Sequence, residues 1–427
     1  MTTPKIEIVP DRGLIDEPVS IRLSGFESGQ HITVRAQMSE HWRSWATFVA
    51  DQSGKVDLAM QKPVSGSYDE TDVMGLIWSM SMDIPVDGPR SALFGPTSLE
   101  PVRITFTAET DGGTITQAEL ERLYIYPEVT RQELRQNGLF GILFVPPGAG
   151  PHPVVILLSG SGGGLQEQRA ALFASRGYAA LALAYFNYET LPAELMEIPL
   201  EYFETAIQWL QSQGGIDGDR IAAAGWSRGG ELSLLLGATF PQIKVIIAYV
   251  PSAVVWGGIS AKSEGTRAAA WTHRGKAIPY LPAVDTDNLA EDFAELVRKG
   301  EPLPLAPKYL ASLDDTTAVE AAIIPVEKTN GAILLISGED DQMWPSAKFS
   351  QMIMDWLDQH NFPHRYRHLS YEGAGHTIGT PYVPTTIHAA FHPVRKHIMS
   401  FGGTAKGNAH AMTDSWQQVL RFLEETL

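Results

Sequence analysis

Residues 221–239 read IAAAGWSRGGELSLLLGAT. The first five are small or apolar with no polar face, which suits a strand buried on both sides. From Gly229 onward the apolar spacing becomes helical. The join is Gly225-Trp226-Ser227-Arg228-Gly229, a serine in a tight turn between strand and helix. Such a turn needs small flanking residues and lifts the hydroxyl above the sheet. It also leaves the first amides of the helix free to hold a developing oxyanion. With 39 glycines in 427 residues, the five-residue pattern alone carries little weight. The strand–turn–helix context gives it weight, and the pattern occurs once. The alternative is a tight turn with an inert serine.

Working outward from this turn, strands are expected at 139–145, 154–158, 179–184, 245–249, 332–337 and 366–369. Helices are expected at 165–176, 200–213, 229–239, 347–359 and 414–427. That alternation predicts a mostly parallel sheet with helices on both faces over residues 127–427. The first 126 residues differ. Short alternating runs at 6–9, 19–23, 31–38, 45–50 and 102–108, split by turn signals such as Asp111-Gly112-Gly113, predict a smaller all-β sandwich domain. The fold class is α/β with this sandwich in front. Residues 251–330 break the rhythm and are too long for a simple connection. One helix is expected there, at 289–299. The stretch is predicted to form a cap-like excursion over the site, because ligands bind outside the carboxyl ends of strands in open α/β sheets.

A serine nucleophile needs a base, and the base needs an orienting acid, following in the chain order Ser, Asp or Glu, His. Gly338-Glu339-Asp340-Asp341 directly follows the strand expected at 332–337, and its spacing to Pro345 favours Asp341. Asp340 or Glu339 pointing inward stays open. Of the 12 histidines, His376 lies in the glycine-flanked loop Gly373-Ala374-Gly375-His376 just past the strand at 366–369. Its glycines allow the sharp turn that would bring an imidazole over the sheet. The loop 159–164, SGSGGG, follows the strand at 154–158 and is expected to supply the other half of an oxyanion hole, with Ser161 and Gly162 as candidates beside the Arg228 amide. It lacks the Gly-Lys-Ser/Thr ending of a phosphate-binding loop.

Composition removes other classes. There is no cysteine, hence no disulfide scaffold, thiolate metal site or cysteine nucleophile. The net charge of −17 argues against nucleic-acid partners. The longest apolar runs are too short for a membrane span, no signal-peptide pattern opens the chain, and a cytoplasmic protein is expected. No metal or other cofactor is implied; His388 and His392, four apart, are explained more simply by a helix face.

With these residues in place, the sequence resembles the acyl-CoA thioesterase and bile acid-CoA:amino acid N-acyltransferase family, a branch of the α/β-hydrolases. The resemblance covers nearly the whole chain. It rests on 45–58 (WATFVADQSGKVDL), 66–80 (GSYDETDVMGLIWSM), 138–153 (GLFGILFVPPGAGPHP), 162–188 (GGGLQEQRAALFASRGYAALALAYFNY), 227–236 (SRGGELSLLL), 338–344 (GEDDQMW) and 409–423 (AHAMTDSWQQVLRFL). It implies Ser227 as nucleophile, Asp341 as acid and His376 as base. It also implies hydrolysis of an acyl-CoA, since the conjugating branch uses cysteine where this chain has Ser227. Two departures stand out. Arg228 occupies a position where the resemblance leads one to expect lysine, and 260–322 has no match. An ester hydrolase or acyltransferase acting on another acyl carrier is the alternative, and a non-catalytic binding protein the third reading. Coenzyme A is polyanionic, so a chain this acidic needs a local basic group. Arg169 and Arg228 are the two near the predicted site.

Overall fold

The computed structural model describes residues 3–82, 98–260, 268–284 and 287–427. In the N-terminal part, Lys5–Val9, Ser20–Ser24 and Val56–Asp57 form a three-stranded sheet. A second sheet is built on Gly113–Leu123, Val102–Thr110, His31–Met38 and Trp42–Val49. Burial alternates residue by residue in His31–Met38, the signature of a strand with one face inward. Ile8, Ile21 and Leu23 of the first sheet share one core with Val34, Phe48 and Phe106 of the second, giving a sandwich. Tyr68 and Trp78 are part of that core.

The larger part is built on one eight-stranded sheet. Its elements are β1 (Thr130–Gln136), β2 (Leu139–Val145), β3 (His152–Leu158), α1 (Glu167–Ser175), β4 (Ala179–Ala184), α2 (Glu201–Gln211), β5 (Ile216–Trp226), α3 (Arg228–Thr239), β6 (Ile243–Tyr249), β7 (Ala332–Gly338), α4 (Ser346–Gln359), β8 (Tyr366–Tyr371) and α5 (Ala405–Thr426). The strand order is β1-β2-β4-β3-β5-β6-β7-β8, antiparallel at β1 and β2 and parallel from β4 onward. Alternate residues of β3 face opposite cores. Val154, Ile156 and Leu158 pack with α2, α3 and α4, while Val155 and Leu157 pack with α1 and α5. This explains the unbroken apolar runs in the sequence, since both faces of the sheet are covered. Chain order, sheet order and two-sided covering make this an α/β-hydrolase fold.

The strands Gly113–Leu123 and Thr130–Gln136 are not among those expected, and two further regions depart from expectation. The last helix starts at Ala405, nine residues before the expected 414. Gly407 and Asn408 read as breakers but serve packing. A Cβ at 407 would lie 2.1 Å from the Gly373 carbonyl, and the Asn408 side chain is fully buried. Thr404 caps the helix by accepting from the Gly407 amide at 2.9 Å. Within the excursion, Asp287–Lys299 matches the expected helix, and two unforeseen short helices follow at Ala306–Ser312 and Thr316–Ala322. Residues 261–267 and 285–286 of that stretch lie outside the described residues.

Candidate active site

Strand β5 ends at Trp226 and α3 begins at Arg228, so Ser227 is the turn itself. Its backbone sits at φ +57°, ψ −118°, a conformation that costs a non-glycine residue roughly 1–3 kcal/mol. The Ser227 amide donates to Tyr249 O at 2.9 Å and Trp226 stacks on Tyr249 at 4.5 Å, which hold the turn to β6. Crowding dictates both flanking glycines. A Cβ at 225 would lie 1.9 Å from Gly229 O, and one at 229 would lie 2.4 Å from Ser159 O.

His376 follows β8 and Asp341 follows β7. His376 Nδ1 lies 2.8 Å from Asp341 Oδ2 and 3.0 Å from Oδ1. The Asp341 side chain is 1% exposed. Its Oδ1 also accepts from the amides of Met343 (3.0 Å) and Trp344 (3.2 Å), and Oδ2 from the Ser346 hydroxyl at 2.6 Å. A carboxylate so satisfied stays an acceptor and fixes the imidazole with its proton on Nδ1, leaving Nε2 as the proton acceptor. The neighbouring acids face elsewhere. Asp340 accepts from the Gly403 amide and Glu339 from the Ser370 hydroxyl. The start of α5 and the segment before it brace the histidine loop: the Gly375 amide donates to Asn408 Oδ1 at 2.8 Å and the His376 amide to Phe401 O at 2.8 Å. Asn408 was not singled out from sequence; its only signal is an asparagine placed three residues into a helix.

Ser227 and His376 open onto one cavity of about 620 Å³. The loop after β3 forms one wall, including Ser161 and Gly162. In that loop the Gly163 amide donates to Gly160 O and the Gly164 amide to Phe186 O, whereas the amides of Ser161 and Gly162 have no acceptor among the described residues. A Cβ at Gly160 would meet Ser227 Cβ at 3.3 Å, which places the loop directly against the serine. The Arg228 amide, first in α3, has no intrahelical acceptor. Thr377, Ile378, Thr380, Val383, Pro384, Thr385 and Ile387 also line the cavity. Among the described residues, none between 251 and 330 lines the cavity. The excursion packs on the other face instead, where Trp271 Nε1 donates to Glu231 Oε1 and Arg228 Nη2 to Trp256 O. The Arg228 guanidinium, expected near the site, is therefore buried under α3 and paired with Glu231 at 2.8 Å. Arg169 does line the cavity.

His392 is not on a helix face. It follows the short strand Ala389–Phe391, with His388 just before that strand. Its Nδ1 accepts from the amides of Val394 (3.2 Å) and Arg395 (3.1 Å), so its proton is on Nε2, which lies 2.8 Å from Ser161 Oγ. Burial, with Arg395, His376 and Lys396 nearby, pushes this imidazole down to about 3 and keeps it neutral. Ser161 Oγ thus accepts from His392 and retains its own proton to donate.

Comparison with known proteins shows the family. The family model described as "BAAT / Acyl-CoA thioester hydrolase C terminal" matches residues 198–427, and "Acyl-CoA thioester hydrolase/BAAT N-terminal region" matches 16–136. The chain belongs to this family. It is 30% identical over 423 residues to the peroxisomal succinyl-coenzyme A thioesterase of Mus musculus, covering 97% of this chain and 95% of the mouse protein. It is 31% identical over 432 residues to the mouse mitochondrial acyl-coenzyme A thioesterase 2, covering 100% and 90%. A mouse acyl-coenzyme A amino acid N-acyltransferase 2 is 32% identical over 435 residues, covering 98% and 96%. The family therefore includes both hydrolytic and acyl-transferring relatives, and this chain is an enzyme of that family.

Proposed function

We propose that this enzyme hydrolyses acyl-CoA thioesters, with Ser227 as nucleophile, His376 as general base and Asp341 as its orienting acid. The observation that carries the reading is the constellation itself: a serine at a strained turn sharing one cavity with an imidazole locked onto a buried carboxylate. His376 takes the hydroxyl proton as Ser227 Oγ bonds to the acyl carbon. The resulting oxyanion rests on the Arg228 amide and on that of Ser161 or Gly162. The C–S bond then breaks, and the proton passes from His376 to the departing thiolate. Water, deprotonated by the same imidazole, splits the acyl-enzyme and releases the carboxylic acid. Residues 1–126 act as a sandwich domain beside a catalytic unit of 127–427. The reading places the chain in lipid metabolism and in the cytoplasm; no helix among the described residues is long and apolar enough to cross a membrane, and fractionation of a tagged chain tests the location. Ser227→Ala assayed with acyl-CoAs and p-nitrophenyl esters tests the chemistry. Turnover should fall to background, and retained turnover in pure protein would sink the assignment.

A second reading, transfer of the acyl group to an amine, is favoured by the relative named as an amino acid N-acyltransferase. Ser227 at the nucleophile position favours hydrolysis. Mass spectrometry of reactions containing glycine or taurine separates the two: a conjugate supports transfer, free acid alone supports hydrolysis.

A further inference from the structure

A second serine–histidine pair lies beside the triad. Ser161 stands in the loop after β3 and lines the cavity onto which Ser227 and His376 open. Its Oγ lies 2.8 Å from Nε2 of His392. The pair cannot act as a nucleophile and its base. Nδ1 of His392 accepts from the amides of Val394 and Arg395, so the ring proton is on Nε2 and the imidazole donates to the hydroxyl. His392 is fully buried. Burial, with Arg395, His376 and Lys396 nearby, keeps it neutral, so it sets no second cation beside the base when His376 takes up a proton.

Every bond in this chain runs the same way. Two amides donate to the imidazole, the imidazole donates to Ser161, and the Ser161 hydroxyl has no acceptor among the described residues. Hydrogen bonds aligned head to tail polarise one another, which makes the last hydroxyl a stronger donor. The loop that carries it is pressed onto the nucleophile. A Cβ at Gly160, the preceding residue, would lie 3.3 Å from Ser227 Cβ and 2.9 Å from Trp226 O. A serine side chain is short, so the Ser161 hydroxyl stays close to the space that its own amide faces.

We propose that the Ser161 side chain is a further oxyanion donor, set in place by His392. Its hydroxyl, in addition to the backbone amides, donates to the oxygen that becomes negative when Ser227 attacks. This rests on the reading of Ser227 as nucleophile. Ser161 keeps its proton throughout, and its hydrogen bond strengthens as charge builds on the oxygen. His392 is a positioning residue that fixes the hydroxyl as a donor. An interaction made with charge that exists only in the transition state lowers the barrier without tightening ground-state binding.

The test compares the parent with Ser161→Ala on hexanoyl-CoA and on p-nitrophenyl hexanoate. Two ligands accompany them. Pentyl trifluoromethyl ketone adds the nucleophile reversibly to form a tetrahedral oxyanion, and the hexyl thioether of coenzyme A is unreactive. Loss of one oxyanion donor should lower kcat/KM by about 10²-fold for both esters and weaken the ketone to the same extent. The thioether should stay within about 3-fold, because it carries no oxyanion. No loss, loss with the thioester alone, or equal weakening of ketone and thioether overturns the proposal; the last is what a merely structural role predicts. Substitutions at His392 decide the matter if Ser161→Ala fails to fold. His392→Leu, which frees the hydroxyl to turn away, should weaken the ketone by about 10-fold, and His392→Gln, which still offers an N–H, by less than about 3-fold. Equal effects of the two overturn the part assigned to His392. A parent that cleaves neither ester removes the nucleophile reading and this proposal together, whereas an active parent with an unaffected Ser161→Ala removes this proposal alone.

Discussion

Three acidic side chains stand in a row at 339–341, and the fold uses each differently. Glu339 meets Ser370 at the surface, Asp340 holds the Gly403 amide, and only Asp341 turns inward to His376. Sequence spacing favoured Asp341 but left the other two open, because a tight turn of acids after a strand looks the same whichever one points inward. Replacing each by its amide separates them. Asp341→Asn should lower kcat with an acyl thioester by about 10⁴-fold, since it disturbs the tautomer and charge that the base requires. Asp340→Asn and Glu339→Gln should remain within a few-fold of the parent; a comparable loss in either would show the wrong acid has been chosen.

His392 illustrates what residue spacing could not reveal. Its partner Ser161 is 231 positions away, and nothing local marks the contact. Because the folded pKa is about 3, while an unfolded histidine titrates near 6.5, the unfolded chain binds a proton over that interval that the folded chain does not. Stability should rise with pH between about 3 and 6.5 on this account, and be lost progressively as pH falls through that window. His392→Gln, which retains a donor for Ser161, should flatten the acid side of a plot of unfolding free energy against pH. An unchanged acid slope would mean His392 is not the neutral, buried group described.

At the scale of elements, alternating strands and helices made the sheet legible, whereas the long connections were not. Periodicity reports how a segment is buried, not which face of the sheet it covers. The 251–330 excursion therefore seemed placed to overhang the cavity, yet it covers the face of α3. There, Arg228 and Glu231 form a pair that is almost fully buried, with Trp271 of the excursion donating to Glu231. Burial raises the Glu231 carboxyl to about 7 against the pull of Arg228 and the Trp271 donor. Removing one member strands the other charge without water. Glu231→Ala should cost about 3–5 kcal/mol in urea unfolding. Glu231→Gln, which still accepts from Trp271, should cost less. If the alanine variant is as stable as the parent, the pair does not tie the excursion to the helix behind the nucleophile.

At the scale of the molecule, the sandwich is joined to the cavity wall rather than merely placed beside it. Leu14, Ile15 and Leu123 enter the core shared by α1 and α5. The Thr385 amide donates to Trp78 O at 2.9 Å and its hydroxyl to Ala405 O at 2.7 Å, while the Thr386 hydroxyl donates to Met80 O, which pins the stretch that contributes Thr385 and Ile387 to the cavity wall. The alternating runs and turn signals of the first 126 residues indicated a β-sandwich, but these joints are hydrogen bonds and packing contacts between segments far apart in the chain, which no local pattern records. The strongest joint is Asp16. Its side chain is 1% exposed, takes Arg176 through two bonds of 2.6 and 2.7 Å, and accepts from Trp416 Nε1 at 2.8 Å. One carboxylate of the sandwich thus holds the C-terminal end of α1 and the middle of α5 together. Asp16→Ala leaves Arg176 with only a longer contact to Glu17 at 3.2 Å and Trp416 without its acceptor. Breaking a buried charge of this kind should cost about 3–5 kcal/mol. The same variant should raise KM for acyl thioesters more than it lowers kcat, because α1 carries the cavity wall while the bond between Asp341 and His376 is untouched. Asp57→Ala, which removes an exposed pair with Arg22, serves as the control and should leave the urea midpoint in place. Equal behaviour of the two variants would show that the sandwich and the catalytic sheet are held by apolar packing alone.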